Sequence, residues 1–99
     1  MSYALYIDDE RSPKTERDWV VVRTYNAFVT TIEERGMPEH ISFDHDLGED
    51  EPTGYDCAKW LVEQGYVPQS YNVHSANPVG AENIRGLLDN WIRFNREND

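Results

Sequence analysis

The sequence is poor in cysteine, in basic residues and in long apolar runs. Its one cysteine, Cys57, excludes an internal disulfide and is typical of a reducing compartment. Only 9 Lys and Arg stand against 19 Asp and Glu, a formal net charge of −10. This balance disfavours general binding to nucleic acid, which depends on basic residues that neutralise phosphates. No apolar run is long enough to cross a bilayer and no signal peptide is evident, so we expect a cytoplasmic protein without membrane partners.

The length and the aromatic content predict one domain with one core. A chain of 99 residues can bury a single modest core but not two. Three Trp, six Tyr and three Phe supply the bulky apolar side chains that this core needs. Because no repeat, low-complexity tract or linker interrupts the chain, we predict a single domain over residues 1–99.

Apolar periodicity predicts four strands that alternate with three helices. Short β-branched and aromatic runs predict strands at residues 3–7, 19–23, 40–43 and 70–74. Helical spacing predicts a first helix over residues 26–35. A Thr53–Asp56 capping box begins a second helix, which ends at Gly65. Asn77 at an N-cap position, followed by Pro78, begins the third.

This order of elements predicts an α/β fold with a mostly parallel sheet. Alternating strands and helices imply right-handed crossovers. We expect helices on both faces of the sheet, which makes a three-layer sandwich, and we expect the strand order 2-1-3-4. Ligands of such sheets collect beyond the carboxyl ends of the strands. The predicted strand ends carry Asp8-Asp9, Asp44-His45-Asp46 and His74-Ser75. All three groups should therefore meet at one rim.

Three of these acids, Asp8, Asp9 and Asp44, predict a metal site. Carboxylates are hard oxygen ligands that suit Mg²⁺ or Mn²⁺. A divalent cation would also remove the repulsion among carboxylates gathered at one place. The alternative is that one or two of them are turn or N-cap residues, since Asp often follows a strand for that reason.

His45 and His74 are candidates for proton transfer at the same rim. Imidazole exchanges protons near neutral pH, and neighbouring carboxylates favour its charged form. Asp46 would orient the imidazole. A single histidine at a strand end is more often structural, and this alternative stays open for each of the two.

The segment HSANPVG, residues 74–80, predicts an anion site. Ser75 and Asn77 offer side-chain donors, and Pro78 begins a helix whose free N–H groups face the rim. Arg11 either adds a fork for phosphate oxygens or pairs with Asp9. Capping alone explains Asn77 and Pro78, so the motif gains weight only beside a metal.

Three segments together resemble a known family. They are YIDDERSP (residues 6–13), ISFDHDLGEDEPTGYD (41–56) and VHSANPVG (73–80). In combination they resemble the cyclic-phosphate-processing receiver-like domains, a branch of the response-regulator receiver superfamily. The resemblance implies a small flavodoxin-like fold with Asp8, Asp9 and Asp44 in the receiver's metal-binding positions and Ser75 at its small hydroxyl position. It also implies action on cyclic-phosphate ends or cyclic nucleotides.

The chain departs from an ordinary receiver in three ways. No helix fits easily between the first two strands, and no fifth strand follows with the Lys that completes a phospho-acceptor site. His45 and Asp46 also crowd the position after Asp44. These departures argue against aspartyl-phosphate signalling and favour a rebuilt active site.

We therefore predict a metal-dependent phosphoesterase that hydrolyses a cyclic phosphate. Its partner would be a phosphorylated small molecule or a nucleic-acid end. One alternative is a non-catalytic module that binds a nucleotide or a metal, and another is an acidic nucleic-acid mimic. The mimic is disfavoured because five acids (Asp8, Asp9, Glu10, Asp44 and Asp46) gather at strand ends instead of spreading over a surface. The oligomeric state stays open, since Trp91 and Phe94 fit either core packing or a dimer contact.

Overall fold

A four-stranded parallel sheet is the frame of the computed structural model, which describes residues 2–97. Its strands are β1 (Ala4–Ile7), β2 (Trp19–Val22), β3 (His40–Phe43) and β4 (Tyr71–Val73). They lie in the order β2-β1-β3-β4, and all three neighbouring pairs are parallel, which confirms the predicted order. All four strands therefore end at the same edge of the sheet.

Three helices complete the fold. They are α1 (Tyr25–Arg35), α2 (Gly54–Gln64) and α3 (Pro78–Glu97). The predicted capping box between Thr53 and Asp56 begins α2, and Gly65 ends it in the left-handed conformation that glycine adopts most easily. Each predicted boundary lies within one residue of the observed one. Within residues 2–97, none of the helices combines the length and the apolar composition that crossing a bilayer requires.

All three helices pack on the same face of the sheet. The side chains on that face include Leu5, Ile7, Ile41 and Phe43, which are fully buried. The helices add the rest of the same core: Phe28 and Ile32 from α1, Cys57, Ala58, Trp60 and Leu61 from α2, and Ile84 and Leu88 from α3. The receiver-like fold thus has two layers in the described part of the chain, and not the three that we expected.

The direction of the chain connections explains the missing layer. The crossovers from β2 to β3 and from β3 to β4 run in the same direction across the sheet, and right-handed connections then place α1 and α2 on one face. A helix between β1 and β2 would run the opposite way and cover the other face. Residues 8–18 make this connection without a helix.

The second face of the sheet carries aromatic and polar side chains. Tyr6 stacks on His74, with 4.4 Å between ring centroids and 7° between planes, and Trp19 meets Tyr6 edge-on at 5.4 Å. Arg17 lies over the Trp19 ring. These contacts leave Tyr6 only 8% exposed although none of the helices within residues 2–97 covers it. The side of the sheet without helices therefore still holds His74 in a fixed position.

Cys57 lies in the core on α2 and is fully buried. Burial, together with the charge of Asp56, raises the pKa of the Cys57 thiol. The side chain therefore acts as a small apolar residue.

Candidate functional site

An acidic cleft lies at the carboxyl ends of β1 and β3. Its volume is about 560 Å³, within the range of small-molecule sites. The residues that line it are Asp8, Asp9, Glu10, Arg11, Asp44, Asp46, Gly48, Glu49 and Ala76. Arg11 is the basic member of this otherwise strongly acidic set.

The three carboxylates of the predicted metal site come together in this cleft. One oxygen from each of Asp8, Asp9 and Asp44 lies within 4.8 Å of the other two. The sheet fixes this geometry, because Asp44 follows β3 and its N–H donates to the carbonyl of Ile7, the last residue of β1. Asp8 is 1% exposed and Asp44 6%, while Asp9 is half-buried. This donor set fits a hard divalent cation such as Mg²⁺ or Mn²⁺.

The Asp8 carboxylate accepts four hydrogen bonds. Its Oδ1 accepts the backbone N–H groups of Glu10 and Arg11, both at 2.8 Å. Its Oδ2 accepts Arg11 Nε and His74 Nε2, both at 3.0 Å. Burial alone would raise the pKa of Asp8, but these donors and the Arg11 charge outweigh burial and lower it. Asp8 is therefore stable as an anion inside the protein.

Asp44 lies in the opposite electrostatic environment. Burial raises the pKa of Asp44, and the neighbouring charge of Asp8 raises it further. A hydrogen bond from the Ser75 hydroxyl and the charges of Arg11 and His74 offset only part of this rise. Ionised Asp44 is thus costly in the protein alone, so an added cation would stabilise the site most at this residue.

Arg11 lies across the two buried acids. Its Nε is 3.0 Å from Asp8 Oδ2 and its Nη2 is 3.7 Å from Asp44 Oδ1. Nη2 also donates to the carbonyl of His74 at 3.4 Å. The ion pair that we considered with Asp9 is therefore formed with Asp8 and Asp44 instead. Half of the Arg11 side chain stays exposed to the cleft.

His74 is held at both ring nitrogens. Nε2 donates to Asp8, and Nδ1 lies 2.7 Å from Ser42 Oγ in a second hydrogen bond. The ring is stacked on Tyr6 and does not line the cleft. This arrangement favours the structural alternative for His74, because Nε2 positions Asp8 while Nδ1 is engaged with Ser42.

The His45 ring lies between Asp46 and α3. Its Nδ1 is 2.9 Å from Asp46 Oδ1, and this hydrogen bond lowers the pKa of Asp46. The ring itself does not line the cleft, whereas Asp46 does and is 65% exposed. His45 therefore does not line the cleft itself but is hydrogen-bonded to Asp46, which does.

Ser75 and Asn77 are engaged in the turn before α3. The Ser75 hydroxyl oxygen accepts the Asn77 N–H at 3.0 Å, and the Ser75 hydroxyl also acts to lower the pKa of the Asp44 carboxyl. The Asn77 amide donates to Asp46 Oδ2 at 3.4 Å. Both predicted phosphate ligands thus connect the turn to acids of the cleft.

The first turn of α3 has few donors left for an anion. Asn77 is the predicted N-cap, since its Oδ1 accepts the Gly80 N–H at 2.9 Å. Its carbonyl accepts the Ala81 N–H at 2.9 Å, and Pro78 has no N–H. Of the three predicted phosphate ligands, Arg11 is the one that lines the cleft.

Arg23 supports the site, although the sequence patterns did not single it out. Its Nη1 donates to the carbonyls of Asp8 at 3.1 Å and Arg11 at 2.5 Å, and its Nη2 donates to Ser12 Oγ at 3.3 Å. Arg23 thereby fixes the backbone that follows β1. A basic residue directly after a strand was the available indication.

Two glycines, also missed, allow helices to approach the site closely. A Cβ at Gly54 would lie 1.8 Å from the Asp44 carbonyl oxygen, because the Gly54 N–H donates to the His45 carbonyl at 2.8 Å. A Cβ at Gly80 would lie 2.3 Å from Cγ of His45. Glycine at the first turn of two helices next to an acidic loop was the indication in the sequence.

A parallel sheet in the order β2-β1-β3-β4, with acids after β1 and β3, defines a receiver-like α/β domain. The family model of the cyclic-phosphate processing receiver domain matches residues 3–90, and the chain belongs to that family.

The comparisons with other proteins add evidence for the fold. A solved structure in which a yeast Spc42 trimeric coiled-coil segment, amino acids 181–211, is fused to another structure is similar to this chain. The TM-score is 0.63 at 17% identity, over 98% of this chain and 83% of that one. At this identity the likeness shows a shared fold alone. No curated protein matches the chain.

Proposed function

We propose that this chain is a metal-dependent phosphoesterase that hydrolyses a cyclic phosphate, on a nucleotide or at a nucleic-acid end. The observation that carries the proposal is the approach of Asp8, Asp9 and Asp44 within 4.8 Å in a cleft of ligand size. Membership of the cyclic-phosphate processing receiver family supports the substrate class.

Asp8, Asp9 and Asp44 would hold Mg²⁺ or Mn²⁺. The bound ion would supply Lewis-acid polarisation of a phosphoryl oxygen and a lower pKa for a coordinated water. The protein itself contributes rigid placement. Asp8 is fixed by backbone N–H groups and by His74, while Asp44 is fixed through the hydrogen bond of its N–H to β1.

Arg11 is the proposed ligand of the phosphate. Its guanidinium lines the cleft and its half-exposed side chain can direct two parallel donors at phosphate oxygens. Ser75 and Asn77 would hold the turn that closes the cleft on the β4 side.

Asp46 and His45 are the proposed groups for proton transfer. Opening a cyclic phosphodiester needs one group that takes a proton from water and one that gives a proton to the leaving oxygen. Asp46 lines the cleft, and the imidazole of His45, the side chain type that most often transfers protons in catalysis, is bonded to it. His74 then acts as a positioning residue for Asp8.

The test is a screen of 2′,3′-cyclic nucleotides, 3′,5′-cyclic nucleotides and cyclic-ended oligonucleotides with Mg²⁺ and Mn²⁺. We expect metal-dependent ring opening that is lost in Asp44→Asn and kept in Glu34→Gln, an exposed acid on α1. Absence of turnover on every substrate with both metals would refute the enzyme.

A non-catalytic module that binds a nucleotide is the second candidate. It is favoured by the fact that neither imidazole lines the cleft and that Arg11 already offsets part of the acidic charge. Tight binding of a cyclic nucleotide without turnover would identify this function.

A further inference from the structure

We infer that Arg11 is an internal counter-ion that competes with the divalent cation for Asp8 and Asp44, and that cation binding releases its guanidinium to the phosphate. The inference rests on the proposed function and concerns the order in which cation and phosphate bind. It assigns to one side chain two successive partners at the same site.

The contacts of Arg11 place its charge where a cation would bind. Its guanidinium lies 3.0 Å from Asp8 Oδ2 and 3.7 Å from Asp44 Oδ1. Oxygens of both acids belong to the cluster whose members lie within 4.8 Å of one another. A cation bound to these carboxylates would therefore lie close to the guanidinium, and both groups are positively charged.

The guanidinium can leave without disturbing the fold. Its side chain is 50% exposed, whereas the Arg11 backbone is held by its N–H bond to Asp8 Oδ1 and by Arg23. When it leaves, Asp8 keeps the N–H groups of Glu10 and Arg11 and the Nε2 donor of His74. An acceptor position on Asp8 Oδ2 would then be open to a cation.

The charges of the site set the order of binding. In the protein alone, the positive charge of Arg11 offsets one of three carboxylates, so the cleft repels a phosphate. A divalent cation compensates the remaining two, after which Arg11 and a phosphate can pair. Since binding couplings are reciprocal, phosphate should in turn increase the affinity for the cation.

The experiment measures Mn²⁺ binding by titration calorimetry in four proteins: wild type, Arg11→Gln, Arg11→Lys and Lys14→Gln. Lys14 is an exposed cation of the same loop that does not line the cleft. Loss of the Arg11 charge should tighten Mn²⁺ binding about tenfold, the effect of one unit charge at about 5 Å in a well-screened site. Arg11→Lys and Lys14→Gln should remain close to wild type.

A second titration uses inorganic phosphate at saturating Mn²⁺. Arg11→Gln should bind phosphate about tenfold more weakly, because a charge-assisted hydrogen bond to an anion is lost. Lys14→Gln should bind it as wild type does. The opposite signs for the two ligands distinguish a counter-ion that changes partner from a residue that merely stabilises the loop.

Two results would overturn the inference: Mn²⁺ binding in Arg11→Gln that is equal to or weaker than in wild type, or equal tightening in Lys14→Gln. Circular dichroism of each variant checks that it is folded, and Arg11→Met, a second variant without the charge, takes the place of Arg11→Gln should that variant unfold. Tighter Mn²⁺ binding without turnover of any cyclic phosphate would refute the enzyme and leave this inference intact. Absence of Mn²⁺ binding in all four proteins would refute both.

Discussion

Asp8 and Asp44, the two buried carboxylates at the ends of neighbouring strands, have opposite effects on stability when they ionise. The pKa of Asp8 is lowered, so its stabilising contribution is present above the ordinary carboxyl pKa and is lost as pH falls through its folded value. The pKa of Asp44 is raised by burial and by Asp8, so the folded state gains stability as pH falls through that raised value. Near neutral pH, Asp8 stabilises the protein and Asp44 destabilises it.

We predict that Asp44→Asn raises the melting temperature in metal-free buffer at pH 7, whereas Asp8→Asn lowers it. The amide removes the costly charge at one position and weakens four charge-assisted hydrogen bonds at the other. Thermal unfolding in the presence of a chelator, with Glu34→Gln as control, measures both. A lower melting temperature for Asp44→Asn would show that its charge is already compensated.

Of the two candidate histidines, we predict that His74 mainly stabilises the fold and that His45 mainly affects the reaction rate. His74→Ala removes one of the four hydrogen bonds that Asp8 accepts and the imidazole partner of Ser42, and should lower the free energy of unfolding by about 1–3 kcal/mol. His45→Ala should reduce turnover roughly 10²–10⁴-fold in a protein that stays folded. Urea unfolding and initial rates measure the two effects. Undiminished turnover in His45→Ala would remove it from proton transfer.

For single residues, the sequence predicts which acids lie close together but not which partners each one binds. Asp8, Asp9 and Asp44 could be predicted to converge because strand-end position and parallel order alone bring them together. The Ser42–His74 hydrogen bond joins residues 32 positions apart and depends on register and rotamer. The same holds for Arg11, because the conformation of its side chain decides that its partners are Asp8 and Asp44.

Helix α3 provides a matched pair of glycines for the next prediction. Alanine at Gly80 would place its Cβ 2.3 Å from the His45 ring, so the ring must shift and its hydrogen bond with Asp46 is disturbed. We expect a loss of about 1–3 kcal/mol, as for overpacking elsewhere, with a parallel fall in activity. Gly86 is exposed in the same helix and a Cβ there meets nothing within 4 Å.

Gly86→Ala should accordingly stabilise the protein by about 0.5–1 kcal/mol through helix propensity, with activity unchanged. Chemical unfolding of both variants and their initial rates decide the matter. Equal stability changes in the two would mean that α3 does not press on His45.

The elements themselves could be predicted almost completely. Capping residues such as Thr53 and Asn77 define helix starts locally, and β-branched runs define short strands. The number of layers could not be read from composition in the same way. It follows from the direction of each crossover, and the connection over residues 8–18 is the one that would have placed a helix on the second face.

The whole molecule carries a formal charge of −10, so any salt should stabilise it by screening. A specific site should add to this effect. At 100 times its dissociation constant, Mg²⁺ or Mn²⁺ should contribute about 2.7 kcal/mol beyond NaCl of equal ionic strength. Thermal unfolding of wild type and Asp44→Asn measures the difference. Identical shifts from NaCl and from both divalent salts would argue against a specific site.

Because Cys57 is buried, the reactivity of its thiol reports how often the core opens to solvent. A protonated thiol inside the core cannot attack an aromatic disulfide reagent until α2 separates from the sheet. The labelling rate of the unmodified chain therefore reports how often the interior is exposed under native conditions. A cation bound at the carboxyl ends of β1 and β3 should slow labelling without touching the sulfur, so occupancy of the cleft could be followed from a reporter buried in the core.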